Sequence, residues 1–190
     1  MRGISMHRGI LALALGLACG PVPAARSGPP APLDLRNGDR VVRLGSESTA
    51  RDTHAGTLET MLRARYPGRS IAFRNLGRAG DTVRVRPSKV GDRAAALAAF
   101  KPTVALLQFG LPESFEGPPE ATGFVAAYEG LLDDLRAAGV RAVLIDPVPI
   151  ASATAQTAAL RPYAEATRAL AARRGLNHVD LLGGLSDLMG

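Results

Sequence analysis

Three short stretches bring together residue types able to do chemistry. Gly45-Ser46-Glu47-Ser48-Thr49 sets hydroxyls beside a carboxylate directly after an apolar run. Asn75-Leu76-Gly77-Arg78-Ala79-Gly80-Asp81-Thr82 is a glycine-rich turn after a second apolar run, and Gly110-Leu111-Pro112-Glu113 follows a third. A serine hydroxyl attacks only when a base takes its proton, and the tetrahedral oxyanion that forms needs donors already in place. Hydroxyls, carboxylates and glycine amides at loop tips are therefore the groups to weigh. Each stretch also has a plain structural reading. Ser46, Ser48 and Thr49 suit turn and N-cap bonding at a strand-to-helix junction. Gly77 and Gly80 suit a tight turn in which Asn75 and Asp81 bond nearby amides. Glu113 suits a loop carboxylate paired with one of the many arginines. Of the three histidines, His54 follows the first stretch closely enough to reach Ser48 or Glu47, or else is an exposed residue at a helix start. His178 reads as a strand or surface histidine.

The elements that must position these loops alternate. Apolar runs at 41–44, 70–75, 103–109, 141–150 and 178–182 read as holding strands, and the segments 57–66, 92–100, 124–138 and 158–174 carry helical patterns. Alternation of this kind implies right-handed β-α-β crossovers and a parallel sheet with helices on both faces. The functional crevice of such a sheet lies beyond the carboxyl ends of its strands. The three stretches above all fall there, as does the loop 146–154. If the last strand runs to Leu182, His178 lies about four residues, roughly 13 Å, below that rim.

These loops resemble the SGNH, or GDSL-type, esterase and lipase family. The resemblance rests on N-G-D-R-V-V-R-L-G, T-L-E-T-M-L-R-A-R-Y-P, F-R-N-L-G-R-A-G-D-T-V, K-P-T-V-A-L-L-Q-F-G-L-P-E-S-F-E-G and R-G-L-N-H-V-D-L, and spans Asn37 to Leu182. It implies a three-layer α/β/α sandwich around a five-stranded parallel sheet of order 2-1-3-4-5, the flavodoxin-like order. It also implies an ester hydrolase acting on acyl or carbohydrate esters, with a serine after the first strand, a glycine amide after the second, an asparagine after the third and an Asp-x-x-His near the C-terminus. Gly80 matches the glycine, whose N–H would be an oxyanion donor. At the serine position an ungapped match places Glu47, while one inserted residue places Ser48, so both are catalytic candidates, with Gly45, Ser46, Gly80 and Glu113 lining the crevice. Pro112 stands at the asparagine position and has neither a side-chain donor nor an N–H. No Asp-x-x-His follows the fifth strand, so the general base goes unnamed. A non-catalytic relative that keeps the crevice to bind a glycan or an envelope partner is the alternative expectation, and a domain shortened at its C-terminus is a third.

The rest of the chain bounds these readings. Its 190 residues, 46% apolar, suit one domain over 36–190. Arg2 and Arg8, the apolar run from Gly9 to Gly20 and Val22-Pro23-Ala24 form the pattern of a cleaved export signal over 1–24, followed by a Pro-rich linker over 25–35. About 12 apolar residues give roughly 18 Å of helix, short of a ~30 Å hydrocarbon core. The expected location is therefore periplasmic or secreted, with lipid attachment at Cys19 the lesser alternative. Formal net charge is +6, nearly all of it from arginine, since Lys89 and Lys101 are the only lysines. These charges are scattered among acids, and few aromatics with no tryptophan leave little for bases to stack on, so no nucleic-acid partner is expected. Scattered histidines and a lone cysteine offer no metal-ligand spacing. The turn N-L-G-R-A-G lacks the third glycine or Gly-Lys-Ser/Thr ending of a phosphate loop. No metal or cofactor is expected, and the partner is a small-molecule or glycan ester.

Overall fold

The computed structural model describes residues 32–84, 93–149 and 154–189. The expected export signal, Cys19 and most of the Pro-rich segment lie outside the described residues. Strands β1 (Arg40–Gly45), β2 (Ala72–Asn75), β3 (Val104–Gln108), β4 (Arg141–Ile145) and β5 (Asn177–Val179) form one parallel sheet in the order β2-β1-β3-β4-β5. Helices α1 (Glu47–Ala55), α2 (Thr57–Arg65), α3 (Arg93–Phe100), α4 (Pro119–Thr122), α5 (Phe124–Ala137), α6 (Thr154–Arg174) and α7 (Leu181–Met189) cover its two faces. The fold is the three-layer α/β/α sandwich.

Hydrophobic patterning explains the layering. All five residues of β3 are buried, as expected of a central strand covered on both sides. Alternate residues then divide between two cores. Val42, Leu44, Ala105, Leu107 and Leu144 pack with Phe124, Tyr128, Leu132 and Leu135 of α5 and Tyr163 and Leu170 of α6. Val41, Val104, Leu106, Val143 and Ile145 pack against Leu58 and Leu62 of α2 and Leu181 of α7. In the first core Phe109, Tyr128, Phe124 and Tyr163 meet edge to face in series, with ring centroids 5.8, 5.3 and 4.9 Å apart. Such contacts add about 0.5–1.5 kcal/mol each beyond area burial.

At the amino ends of the strands a polar knot closes the sheet. Asp39 accepts from Arg36 N (2.6 Å), Thr103 Oγ1 (2.6 Å) and Arg141 (2.5 Å). Burial alone would raise its pKa, but the bonds from Thr103, Arg36 and Arg141 outweigh it and hold the carboxyl below its ordinary value. Leu33 and Leu35 pack into the second core beside this knot. Part of the segment whose composition reads as linker is thus packed into the domain.

Two local expectations are corrected. The strand expected over 178–182 ends at Val179, because Asp180 Oδ1 accepts from Gly183 N (2.8 Å) and so caps α7. A short apolar run such as V-D-L-L cannot by itself be divided between strand and helix. His178 is therefore one residue from the strand end, not four. The stretch Gly45 to Thr49 is not a loop tip throughout, because from Glu47 it is the start of helix α1, whose polar sequence E-S-T-A-R-D-T-H-A carries little periodic signal. His54 sits in its last turn, exposed.

Candidate functional site

The carboxyl ends of β1, β2, β3, β4 and β5 share one rim. There, Gly45 lets β1 turn into α1: a Cβ on Gly45 would lie 2.3 Å from the Gln108 carbonyl oxygen and 2.5 Å from Thr49 Oγ1. Only glycine permits so close an approach of β1's end to β3. Ser46, buried, occupies the N-cap position of α1 without a side-chain cap bond. Glu47 is the first helical residue and Ser48 the second.

Glu47 reaches across to the turn after β2. Its Oε1 accepts the Gly80 N–H at 2.9 Å, while Oε2 is enclosed and takes no hydrogen bond among the described residues. Gly80 has φ +73°, the left-handed conformation that favours glycine. Asn75 ties the turn to α1, donating Nδ2 to Thr49 O (2.8 Å) and accepting Gly77 N on Oδ1 (2.9 Å). Asp81, fully buried, pairs with Arg93 at 2.8 Å, and that guanidinium lies 5.2 Å from the Phe109 ring.

Ser48 turns elsewhere. Its hydroxyl donates to Gln108 Oε1 (2.9 Å), which also accepts from Thr49 Oγ1 (3.2 Å) and Arg43 (3.4 Å). Arg43 can only donate and the Asp146 carbonyl can only accept, which together fix the amide's orientation. Gln108 Nε2 then donates to Asp146 O (3.0 Å). Arg43 also pairs with Asp52, which accepts Thr57 N (2.9 Å) in the first turn of α2. A cavity of about 70 Å³ beside Arg43, Asp52, Leu58 and Phe73 underlies the corner between these helices. His54, six residues along α1 from Ser48, is displaced by about 9 Å in rise and about 120° in azimuth. Asp52 is committed to Arg43 and α2.

Glu113 is 2% exposed and lies on a 3₁₀ turn, Glu113–Phe115, after β3. Its Oε1 accepts Val83 N (2.8 Å) and its Oε2 accepts Gly110 N (3.0 Å), so it bridges the loops after β2 and β3. Its partners are backbone amides and not an arginine. Burial pushes its carboxyl above the ordinary value, and the amide bonds only partly oppose this. Pro112 precedes it and has no N–H to offer.

On the far side of the rim His178 Nε2 meets Asp146 Oδ1 at 2.6 Å. Burial raises the pKa of Asp146, the His178 bond and charge lower it, and neighbouring Asp180 raises it again, leaving it above its ordinary value. Among the described residues no group of three His, Cys, Asp or Glu gathers as metal ligands do. No described helix is long and apolar enough to cross a membrane.

The structure thus brings Gly45, Ser46, Glu47 and Gly80 to one rim, links Gly80's turn to Glu113 through Val83, and directs Ser48 toward Gln108. Sequence reasoning missed Gln108 and Asp146. Both had a signal: a polar residue at the carboxyl end of an otherwise apolar run.

Comparison with solved structures gives the same architecture. The acetylxylan esterase Axe2 from Geobacillus stearothermophilus superimposes with a TM-score of 0.65 at 15% identity, covering 83% of this chain and 82% of that one. The psychrotrophic esterase EstA from Pseudoalteromonas sp. gives 0.55 at 15% identity, over 74% of this chain and 76% of its own. A gut microbial diltiazem-metabolizing enzyme gives 0.63 at 20% identity over 80% of this chain, which spans only 38% of that protein. Likenesses at such identities establish the fold. None of the curated proteins matches in sequence. The family description "GDSL-like Lipase/Acylhydrolase" matches residues 38–189, nearly all of the packed domain. The chain belongs to the GDSL-like lipase/acylhydrolase family.

Proposed function

We propose that this protein is an exported member of its family that binds acyl or carbohydrate esters in the rim crevice without turning them over through a serine acyl-enzyme. One observation carries the reading: the Gly80 N–H, the amide the family would use for an oxyanion, is held by the Glu47 carboxylate at 2.9 Å. A negative oxyanion would have to displace a negative carboxylate from its donor. Pro112 brings no replacement N–H, and losing one oxyanion donor typically costs about 3 kcal/mol of transition-state stabilisation. Ser48, the available hydroxyl, donates to Gln108, an amide that cannot act as a base. Export is supported by the basic and apolar pattern of residues 1–24, with a lipid anchor on Cys19 as its variant.

A second reading, hydrolysis through Ser48, is favoured by the family itself and by esterases among the fold's neighbours, one of them an acetylxylan esterase. Fluorophosphonate labelling of the purified protein with mapping of the adduct, alongside p-nitrophenyl acetate hydrolysis, separates the two. The binding reading expects no adduct and hydrolysis at the buffer rate. An adduct on Ser48 with turnover would replace it by the hydrolytic reading. Sequencing the N-terminus of the exported protein tests the signal, which predicts a start at Ala25 or Arg26.

A further inference from the structure

We infer that the pole of the sheet opposite the crevice is a docking surface for a membrane of anionic phospholipid, whatever the crevice itself binds. Every strand of a parallel sheet begins at the same end, so the segments that lead into the five strands lie side by side. Each brings at least one cation: Arg36 before β1, Arg65 and Arg69 before β2, Lys101 before β3, Arg136 before β4 and Arg174 before β5. Charges scattered along the sequence are thus gathered on one surface. It spans the width of the sheet, roughly 19 Å at ~4.8 Å per strand spacing.

The pairing of these charges leaves an excess of cations. Among the described residues the acids at this end are Asp34, Asp39, Asp133 and Asp134. Asp34 is held by Arg69 (2.5 Å), Asp39 by Arg141 (2.5 Å) and Asp133 by Arg174 (2.9 Å). Arg36, Arg65, Lys101 and Arg136 are exposed and have no acidic partner among the described residues. The opposite rim has the reverse balance, with Glu47, Asp81, Glu113, Glu116, Asp146 and Asp180 against Arg78, Arg84 and Arg93 among its described residues. A cation in the last turn of a helix also answers the helix dipole, which accounts for Arg65, Arg136 and Arg174. Arg36 and Arg69 lie in no helix, and Arg40 opens a strand.

Three of the guanidinium groups are seated on rings. Arg40 lies 4.6 Å from the centre of Phe100 and donates Nε to Phe100 O (2.5 Å), while Arg65 and Arg69 lie 5.6 and 4.8 Å from the centre of Tyr66. Seated forks lose less freedom on meeting an anion, and their geometry matches a phosphate. The same stacking occupies ring faces that a nucleic-acid base would need. A surface as broad as five strand entries suits a plane of phosphates more than one polymer strand. Its position agrees. Leu33 and Leu35 join the leading segment to the domain at this pole, and the sequence of that segment carries the apolar run from Gly9 to Gly20 that the export reading sends into a bilayer.

Flotation of the exported protein with lipid vesicles tests the assignment. Vesicles of equal parts phosphatidylglycerol and phosphatidylcholine should hold it about a hundredfold more strongly than pure phosphatidylcholine in dilute buffer, and about 0.5 M salt should abolish the preference. A lipid on Cys19 would enter both kinds of vesicle, so the ratio reads charge alone. Arg36→Ala combined with Arg65→Ala should cut the preference about 25-fold, roughly fivefold per cation. Arg78→Ala combined with Arg161→Ala removes the same charge from the rim side and should change it by less than about twofold. Circular dichroism should show the variants folded alike, since these side chains are exposed. Equal hold on both kinds of vesicle overturns the membrane surface. An equal loss in the two double variants also overturns it, because overall charge would then suffice. Capture by polygalacturonate or single-stranded DNA without capture by vesicles overturns the choice of lipid. None of these outcomes bears on the crevice.

Discussion

Two glutamates bond backbone amides at the same rim, and their surroundings divide their roles. Glu113 is enclosed and serves two amides from two loops; Glu47 is partly open and serves one. Around Glu113, any amide that lost its acceptor would be stranded away from solvent, so the carboxylate acts as a clasp. Around Gly80, which is exposed, water can take over the donor. The same bond is therefore structural in one place and replaceable in the other, and a replaceable bond is what a ligand site requires.

Glu113→Ala is the most severe way to test this contrast. It leaves Val83 N and Gly110 N buried without an acceptor, at about 1–3 kcal/mol each, and urea unfolding should show a loss of about 3 kcal/mol or more. Gly45→Ala should follow at about 2–3 kcal/mol, because the new Cβ meets backbone at 2.3 Å. Its measurement is the same unfolding curve. Glu47→Ala should cost under about 1 kcal/mol and expose the Gly80 N–H, visible as faster amide hydrogen exchange at Gly80 and not at Val83. A Glu47→Ala loss as large as that of Glu113→Ala would erase the distinction.

The smallest effect is in pH. Burial raises Glu113's carboxyl pKa in the folded protein above its ordinary value. A raised folded pKa means stability that is fully present below the unfolded value and is lost as pH climbs through the folded one. Unfolding measured against pH should therefore show the unaltered protein losing ground to Glu113→Gln across that window, and the two running parallel above it. No change in the difference between them would show that the carboxylate is not strained by its burial.

Much of the architecture was legible because continuous apolar runs such as T-V-A-L-L-Q-F announce strands covered on both faces, and the match from Asn37 to Leu182 supplied their order. Helix α1 was not legible. Its residues are mostly polar, its buried member Thr49 packs against Gly77 of another loop, and such a contact leaves no trace in local periodicity. The site was legible in its parts more than in its pairings. Glu47 and Gly80 were both visible as candidates, yet the bond between them joins residues 33 positions apart. The role of Glu113 depends on Val83, 30 positions away, where the sequence offered only an acid among many arginines. His178 shows the reverse error, since a strand end misplaced by three residues set a rim residue about four residues below the rim.

The polar knot around Asp39 and the packing of Leu33 and Leu35 fix where the leading segment joins the domain. Because all five strands run the same way, the Asp39 knot and the rim at the strands' carboxyl ends occupy opposite poles, separated by a strand of six residues, roughly 20 Å. Anything holding residues before Pro32 to a surface would turn the rim that carries Glu47 and Gly80 outward, toward whatever diffuses past it.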